Sequence, residues 1–131
     1  MLDHASATCG CIDVLYSTWV LVNQDEVRSF TRATVETEDE LDTAVVEVLL
    51  YYKGPVFDGY LDDDDDICVY QGSAVTCNAL ALHSPLSAGC EYCGDHRIRG
   101  YRSGQEVWNF EDTTCDTAPA GGGGGGGGGI P

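Results

Sequence analysis

Positive charge is what this chain has least of. Lysine and arginine together number 6 against 22 acidic residues in 131, a net charge of −16, and Lys53 is the sole lysine. Phosphate contacts need cationic side chains, so nucleic acid and anionic membranes are not expected as partners. Long apolar runs are also missing. The longest is the few residues around Val48, Leu49 and Leu50, far short of the roughly 18 that a membrane span takes. Membrane insertion is therefore not expected. Neither a β–α–β alternation nor an internal repeat is visible, which argues against a parallel-sheet or solenoid protein.

Catalytic signatures are absent as well. There is no Gly-x-Ser-x-Gly, no His-Glu-x-x-His and no P-loop. The three histidines are His4, His83 and His96, and acidic residues are so abundant that Asp95 beside His96 selects nothing. A small extracellular hydrolase with unidentified catalytic residues is the one enzymatic alternative. A complete signal peptide is lacking too. The segment MLDHASAT carries a small-residue pattern at Ala5 and Ala7, but what precedes it is too short and polar for an apolar targeting core.

Cysteine is plentiful. Seven lie at Cys9, Cys11, Cys68, Cys77, Cys90, Cys93 and Cys115. A reducing compartment rarely keeps so many unless they bind metal, so the spacing reads as a disulfide framework in an extracellular or cell-surface protein. Six cysteines make three bridges and leave one thiol, which offers a route to self-association. Cys68 and Cys77 flank a Gly72-Ser73 turn and are placed to bridge neighbouring strands. Cys90 or Cys93 with Cys115 would pin the C-terminal strand. A zinc site from Cys9, Cys11, Cys90 and Cys93, with His96 as a spare ligand, is the weaker alternative.

The remaining pattern is that of short strands. Residues 12–22 place Ile12, Val14, Tyr16, Thr18, Val20 and Val22 on one face, with Leu15, Trp19 and Leu21 on the other. Residues 27–37 alternate, with Arg28, Arg32 and Glu36 on the polar face. Residues 43–52 are β-branched and aromatic, and Gly54-Pro55 stops them. Shorter strands are predicted at 56–60, 67–70, 74–82, 97–101 and 106–110, with hairpin turns at Gly72-Ser73 and Ser103-Gly104. Trp19, Trp108, Tyr101 and Phe110 are expected in the core. The fold class is all-β: an antiparallel, disulfide-stapled β-sandwich, immunoglobulin-like or jelly-roll-like. Its expected organisation is a flexible segment over 1–7, the domain over 8–117 and a Gly-rich tail over 118–131. Nine glycines at 121–129 form the tail and read as a disordered tether or linker. An acidic, lysine-poor composition also suits a high-salt source.

Two charged segments stand out. Residues 62–66 are five consecutive aspartates. They do not fit an EF-hand loop, which would need Gly at the position of Ile67 and Glu at that of Ser73. A looser calcium site from Asp58, Asp62, Asp64 and Asp66 is the one cofactor the chain suggests. The alternative is a solvated acidic turn that guards the adjoining strand against edge pairing. On a strand, Asp62, Asp64 and Asp66 would point one way and Asp63 and Asp65 the other. The second segment, RIRGYRSG, holds Arg97, Arg99 and Arg102, a basic patch that can pair internally or dock a second copy. Function at this level is a non-catalytic structural or binding module with a protein or glycan partner. A calcium-dependent, lectin-like or adhesive module is the alternative.

Overall fold

The computed structural model describes residues 3–6, 13–36 and 41–119, the first four and residue 13 by their backbone alone. Cys9, Cys11 and the poly-Gly segment lie outside the described residues. Eight strands are present in that range: β1 (Asp3–Ser6), β2 (Asp13–Asn23), β3 (Glu26–Val35), β4 (Thr43–Tyr52), β5 (Gly59–Val69), β6 (Val75–His83), β7 (Glu91–Arg102) and β8 (Gln105–Thr117). They form two four-stranded sheets, ordered β1-β2-β3-β6 and β5-β4-β7-β8. Every pairing is antiparallel. The chain runs from the β2–β3 hairpin to β4–β5 in the other sheet, returns for β6, and crosses again to β7–β8. Placing β6 beside β3 and β7 beside β4 is the Greek-key connectivity of an immunoglobulin-like sandwich.

Alternation builds the core. Val14, Tyr16 and Val22 of β2, Val27, Ala33 and Val35 of β3, and Cys77, Ala79 and Ala81 of β6 face Ala44, Val46, Val48 and Leu50 of β4 and Ile98 of β7. Burying Leu50 or Ile98 completely stabilises the fold by roughly 2–3 kcal/mol each. Small residues let the layers approach. A methyl group added at Gly94 would run into Ser29 Oγ of the facing sheet. The β7–β8 turn places Ser103 at φ 52° and Gly104 at φ 81°, and two positive φ values define the tight hairpin turn that matches strand twist.

Several boundaries differ from the sequence expectation. Asp3–Ser6, inside the segment expected to be flexible, pairs with β2. Ala118, placed in the tail, is buried, and its N–H donates to the Cys90 carbonyl. Val56 and Phe57, expected to open a strand, sit in a loop and are 84% and 80% exposed. The Gly72-Ser73 bend is not a hairpin within one sheet; it carries the chain from β5 to β6 in the other. The largest difference concerns the aspartates. They are not a turn but the middle of β5, held by β4 along a continuous register from Asp62 opposite Leu50 to Val69 opposite Thr43. Low intrinsic strand preference is overridden because β4 offers an edge of N–H and C=O groups that β5 pairs along its length.

Candidate functional site

The aspartate strand runs along one flank of the sandwich, where β5 of one sheet comes beside β6 of the other. β6 has a single strand partner, so alternate N–H groups point away from it, unpaired by any strand. The backbone N–H groups of Asn78, Leu80 and Leu82 donate to Oδ2 of Asp66, Asp64 and Asp62 at 3.0, 2.9 and 2.9 Å. Step of two on one antiparallel strand matches step of two on the other, so the three carboxylates fit three N–H groups in order. Same-side neighbours are about 7 Å apart along a strand, a repulsion of ~0.6 kcal/mol in water before screening. Each hydrogen bond gives about 1 kcal/mol, so the ladder is favourable. The Cys68–Cys77 disulfide joins the same two strands at one end.

Asp58, the fourth proposed calcium ligand, lies outside this ladder and accepts a 3.4 Å hydrogen bond from the Gly54 N–H. Among the described residues, the one trio of metal-ligand atoms within 4.8 Å is Glu91, Cys93 and Cys115. Its two sulfurs are bonded to each other. That second disulfide links β7 to β8 and also removes Cys93 from the proposed zinc set. Cys90 is a half-buried free thiol.

The opposite flank repeats the device. There Asp116 Oδ2 accepts from the Val22 N–H at 2.9 Å, and Asp112 Oδ2 accepts from Thr18 Oγ1 at 3.2 Å. Asp112 and Asp116 belong to β8, and the residues they hold belong to β2 of the other sheet. Tyr16 packs on Phe110 beside them, at a centroid distance of 4.5 Å.

His96 is in the core. Thr31 Oγ1 donates to the Glu47 carbonyl at 3.1 Å, so its lone pair accepts from His96 Nδ1–H at 2.8 Å. His96 Nε2 then accepts from Thr114 Oγ1 at 2.7 Å. Burial pushes the imidazole pKa down to about 4, partly countered by Asp112 and Asp95. The ring is neutral with both nitrogens engaged. Nearby, burial and then the Asp95 charge hold the Tyr51 hydroxyl up at about 12.

The two outer faces differ in chemistry. On the β5-β4-β7-β8 sheet, Asp63, Leu49, Asp95 and Thr113 form one row, and Asp65, Glu47, Arg97 and Glu111 the next. These rows line a shallow acidic trough. The basic patch lies here and is largely neutralised: Arg99 pairs with Glu47 at 3.0 Å and Arg97 with Glu111 at 3.6 Å. Arg102 stands near Asp42, whose carboxyl is held below its ordinary range mainly by the Ser103 N–H, then by Thr43.

The other outer face is the one that sequence reasoning missed. Trp19, expected in the core, points outward from β2 opposite Phe30 of β3, and the rings stack at 5.0 Å. The Arg32 guanidinium lies 5.0 Å from the Phe30 centroid, and its Nε donates to Asn78 Oδ1 at 2.8 Å. Leu80 and Leu82 continue the face on β6 and are 37% and 44% exposed. The outward positions of residues 15–21, 28–34 and 76–82 carry two arginines and no acidic residue. Phe30 between Arg28 and Arg32 was the available signal. Only the strand register reveals that Trp19 and Leu80 flank it.

No known family matches the sequence, and no characterised protein matches it. Solved structures share the general arrangement. Self-complemented MyfA, the major subunit of Myf fimbriae from Yersinia enterocolitica, is 11% identical, with a TM-score of 0.47, over 79% of this chain and 98% of that one. The collagen-binding subdomain of the Enterococcus faecalis surface protein ACE is 10% identical, with a TM-score of 0.38, over 76% and 94%. A glycosyl hydrolase family 2 member from Bacteroides cellulosilyticus is 8% identical, with a TM-score of 0.44, over 73% of this chain. The chain spans 14% of that hydrolase's length. With every one of these scores below 0.5, the strand order itself defines what this chain is: an antiparallel, disulfide-containing β-sandwich.

Proposed function

We propose that this chain is an extracellular or cell-surface module with a non-catalytic binding role, and that it binds through the outer face of the β1-β2-β3-β6 sheet. The observation that carries this reading is the outward stack of Trp19 on Phe30 with Arg32 over the ring. Aromatic residues and arginine are the side chains most enriched where protein interfaces concentrate their energy. Here they stand on a rigid sheet and not on a loop. The two disulfides support an oxidising location. The carboxylate latches at the two flanks support a sandwich whose sheets stay together and whose β6 edge is closed to an added strand.

The test uses intact cells of the source. Fluorescently labelled protein should adhere to them, and the Phe30→Ser/Leu80→Ser variant should lose at least tenfold of that binding. Brief surface proteolysis of untreated cells should release peptides from residues 41–119. Equal adherence of both proteins would overturn the assignment of the face. Peptides released only after lysis would overturn the surface location.

A further inference from the structure

We propose that the partner of the Trp19–Phe30 face is the acidic trough of a second copy, so that sandwiches stack face to back. This rests on the binding role above and names the occupant. Strand addition at the β6 edge is a poor route to assembly, because the outward N–H groups of Asn78, Leu80 and Leu82 are already taken by carboxylates. The two outer faces, by contrast, are complementary. One carries Arg28 and Arg32 around Trp19, Phe30 and Leu80, with Glu26 beside Arg28 at the hairpin end. The other, on the opposite side of the same molecule, sets Asp63, Asp65, Asp95, Glu47 and Glu111 around Arg97. Leu49, 38% exposed, lies in the row beside Glu47 and gives Trp19, one strand over from Phe30, an apolar contact.

The spans also agree. Arg28 and Arg32 are four residues apart on β3, about 13 Å at strand rise. Asp65 and Glu111 lie on β5 and β8, three strand spacings apart, about 14 Å. Crossing the two sheets near 90° would bring both arginines onto the two carboxylates, a packing angle that sheets adopt. An isologous contact between two Trp19 faces would instead set Arg28 and Arg32 against their own copies. The net charge of −16 opposes any association at low salt. At about 0.15 M salt the Debye length is about 8 Å, so the global repulsion is screened while contact pairs survive. Because the two surfaces are different, each copy can engage two neighbours, and the assembly is open-ended.

Sedimentation velocity on the intact chain at 0.15 M NaCl tests this. The native protein should show a concentration-dependent series extending past the dimer. Phe30→Ser/Arg32→Glu blocks one face, and Asp63→Lys/Asp65→Lys blocks the other. Each variant alone should be a monomer, its self-affinity reduced at least tenfold. Mixed in equal amounts, they should form a one-to-one heterodimer and stop there, because each retains one complementary face. Glu111→Lys serves as a second blocker of the trough, and unchanged circular dichroism confirms folding in each. A native protein that stays monomeric would overturn the proposal. So would self-association of the trough-blocked variant, or a mixture that fails to pair. Monomeric protein that still adheres to cells through Phe30 would leave the binding role intact and remove only the self-stacking.

Discussion

The two flanks of the sandwich are closed by the same chemistry in different surroundings. Where β5 meets β6, Asp62, Asp64 and Asp66 hold three backbone N–H groups, and a disulfide ties the strands. Where β8 meets β2, Asp116 holds one N–H and Asp112 one hydroxyl. No described disulfide crosses that flank, but Tyr16, Phe110 and Trp108 pack there. One flank is polar and covalently tied; the other is aromatic and lightly latched. The difference teaches that the same carboxylate latch can be backed by a covalent tie or by aromatic packing, and that the covalent tie sits where aromatic packing is thin.

The disulfides give the largest test of that comparison. Cys93 and Cys115 are 22 residues apart within one sheet, whereas Cys68 and Cys77 are 9 apart across the flank. Loop entropy alone predicts a loss of ~3.4 kcal/mol for Cys93→Ala/Cys115→Ala and ~2.6 kcal/mol for Cys68→Ala/Cys77→Ala. Urea unfolding of both variants measures it. If the flank disulfide costs more than the in-sheet one, its role exceeds chain entropy, and it holds native contacts between the sheets.

His96 links the two sheets between the flanks, through Thr31 on one and Thr114 on the other. Its pKa is pushed below the unfolded value by burial. Between pH 6.5 and about 4 the unfolded chain therefore binds the extra proton. Stability from this group is complete above pH 6.5 and falls as pH drops through that window, by about 3 kcal/mol in total. Neutralising the acidic surface acts in the opposite direction, so the readout is a difference. His96→Gln should flatten the pH dependence of the unfolding free energy in that range. Equal slopes in the two proteins would show that the imidazole is solvated.

The aspartate run separates latch from surface charge by parity. Asp62→Ala/Asp64→Ala/Asp66→Ala removes three acceptors and should cost about 2 kcal/mol, after relief of repulsion offsets part of the loss. It should also make the protein aggregation-prone at the uncovered β6 edge. Asp63→Ala/Asp65→Ala, on the outward side of the same strand, should be neutral or slightly stabilising. Thermal melts with light scattering decide it, and equal losses from the two sets would mean that no ladder forms in solution.

Much of this was legible in the sequence. The alternation of Val14, Tyr16, Val20 and Val22, the span of β4 and the Ser103-Gly104 turn follow from side-chain period and turn chemistry. So does the split of even from odd aspartates. What failed did so for one physical reason: sequence periodicity reports faces but not neighbours. Five aspartates read as a loop because no local signal announces that β4 will supply a partner. Trp19 read as core because a large aromatic residue usually is. Its outward position follows from the register with Phe30, a non-local fact. The task of Asp116 was hidden among 22 acidic residues, since only the approach of β8 to β2 distinguishes it from the others.

Asp116 gives the smallest and sharpest contrast between the flanks. Across the flank it serves a single backbone donor, the Val22 N–H, at a fully buried residue, while its Oδ1 accepts locally from the Thr117 N–H at 3.0 Å. Asp116→Asn keeps a carbonyl oxygen in place, and Asp116→Ala leaves the N–H with nothing. If the latch works through hydrogen bonding, the alanine variant loses about 1 kcal/mol and the asparagine variant much less. If it works through charge, the two lose alike, and the loss shrinks with added salt. Amide exchange at Val22 is the direct readout, because Asp116→Ala should speed its exchange while leaving Leu80 and Leu82 on the far flank unchanged. Faster exchange at both flanks from this one substitution would mean that the flanks open together and not as separate latches.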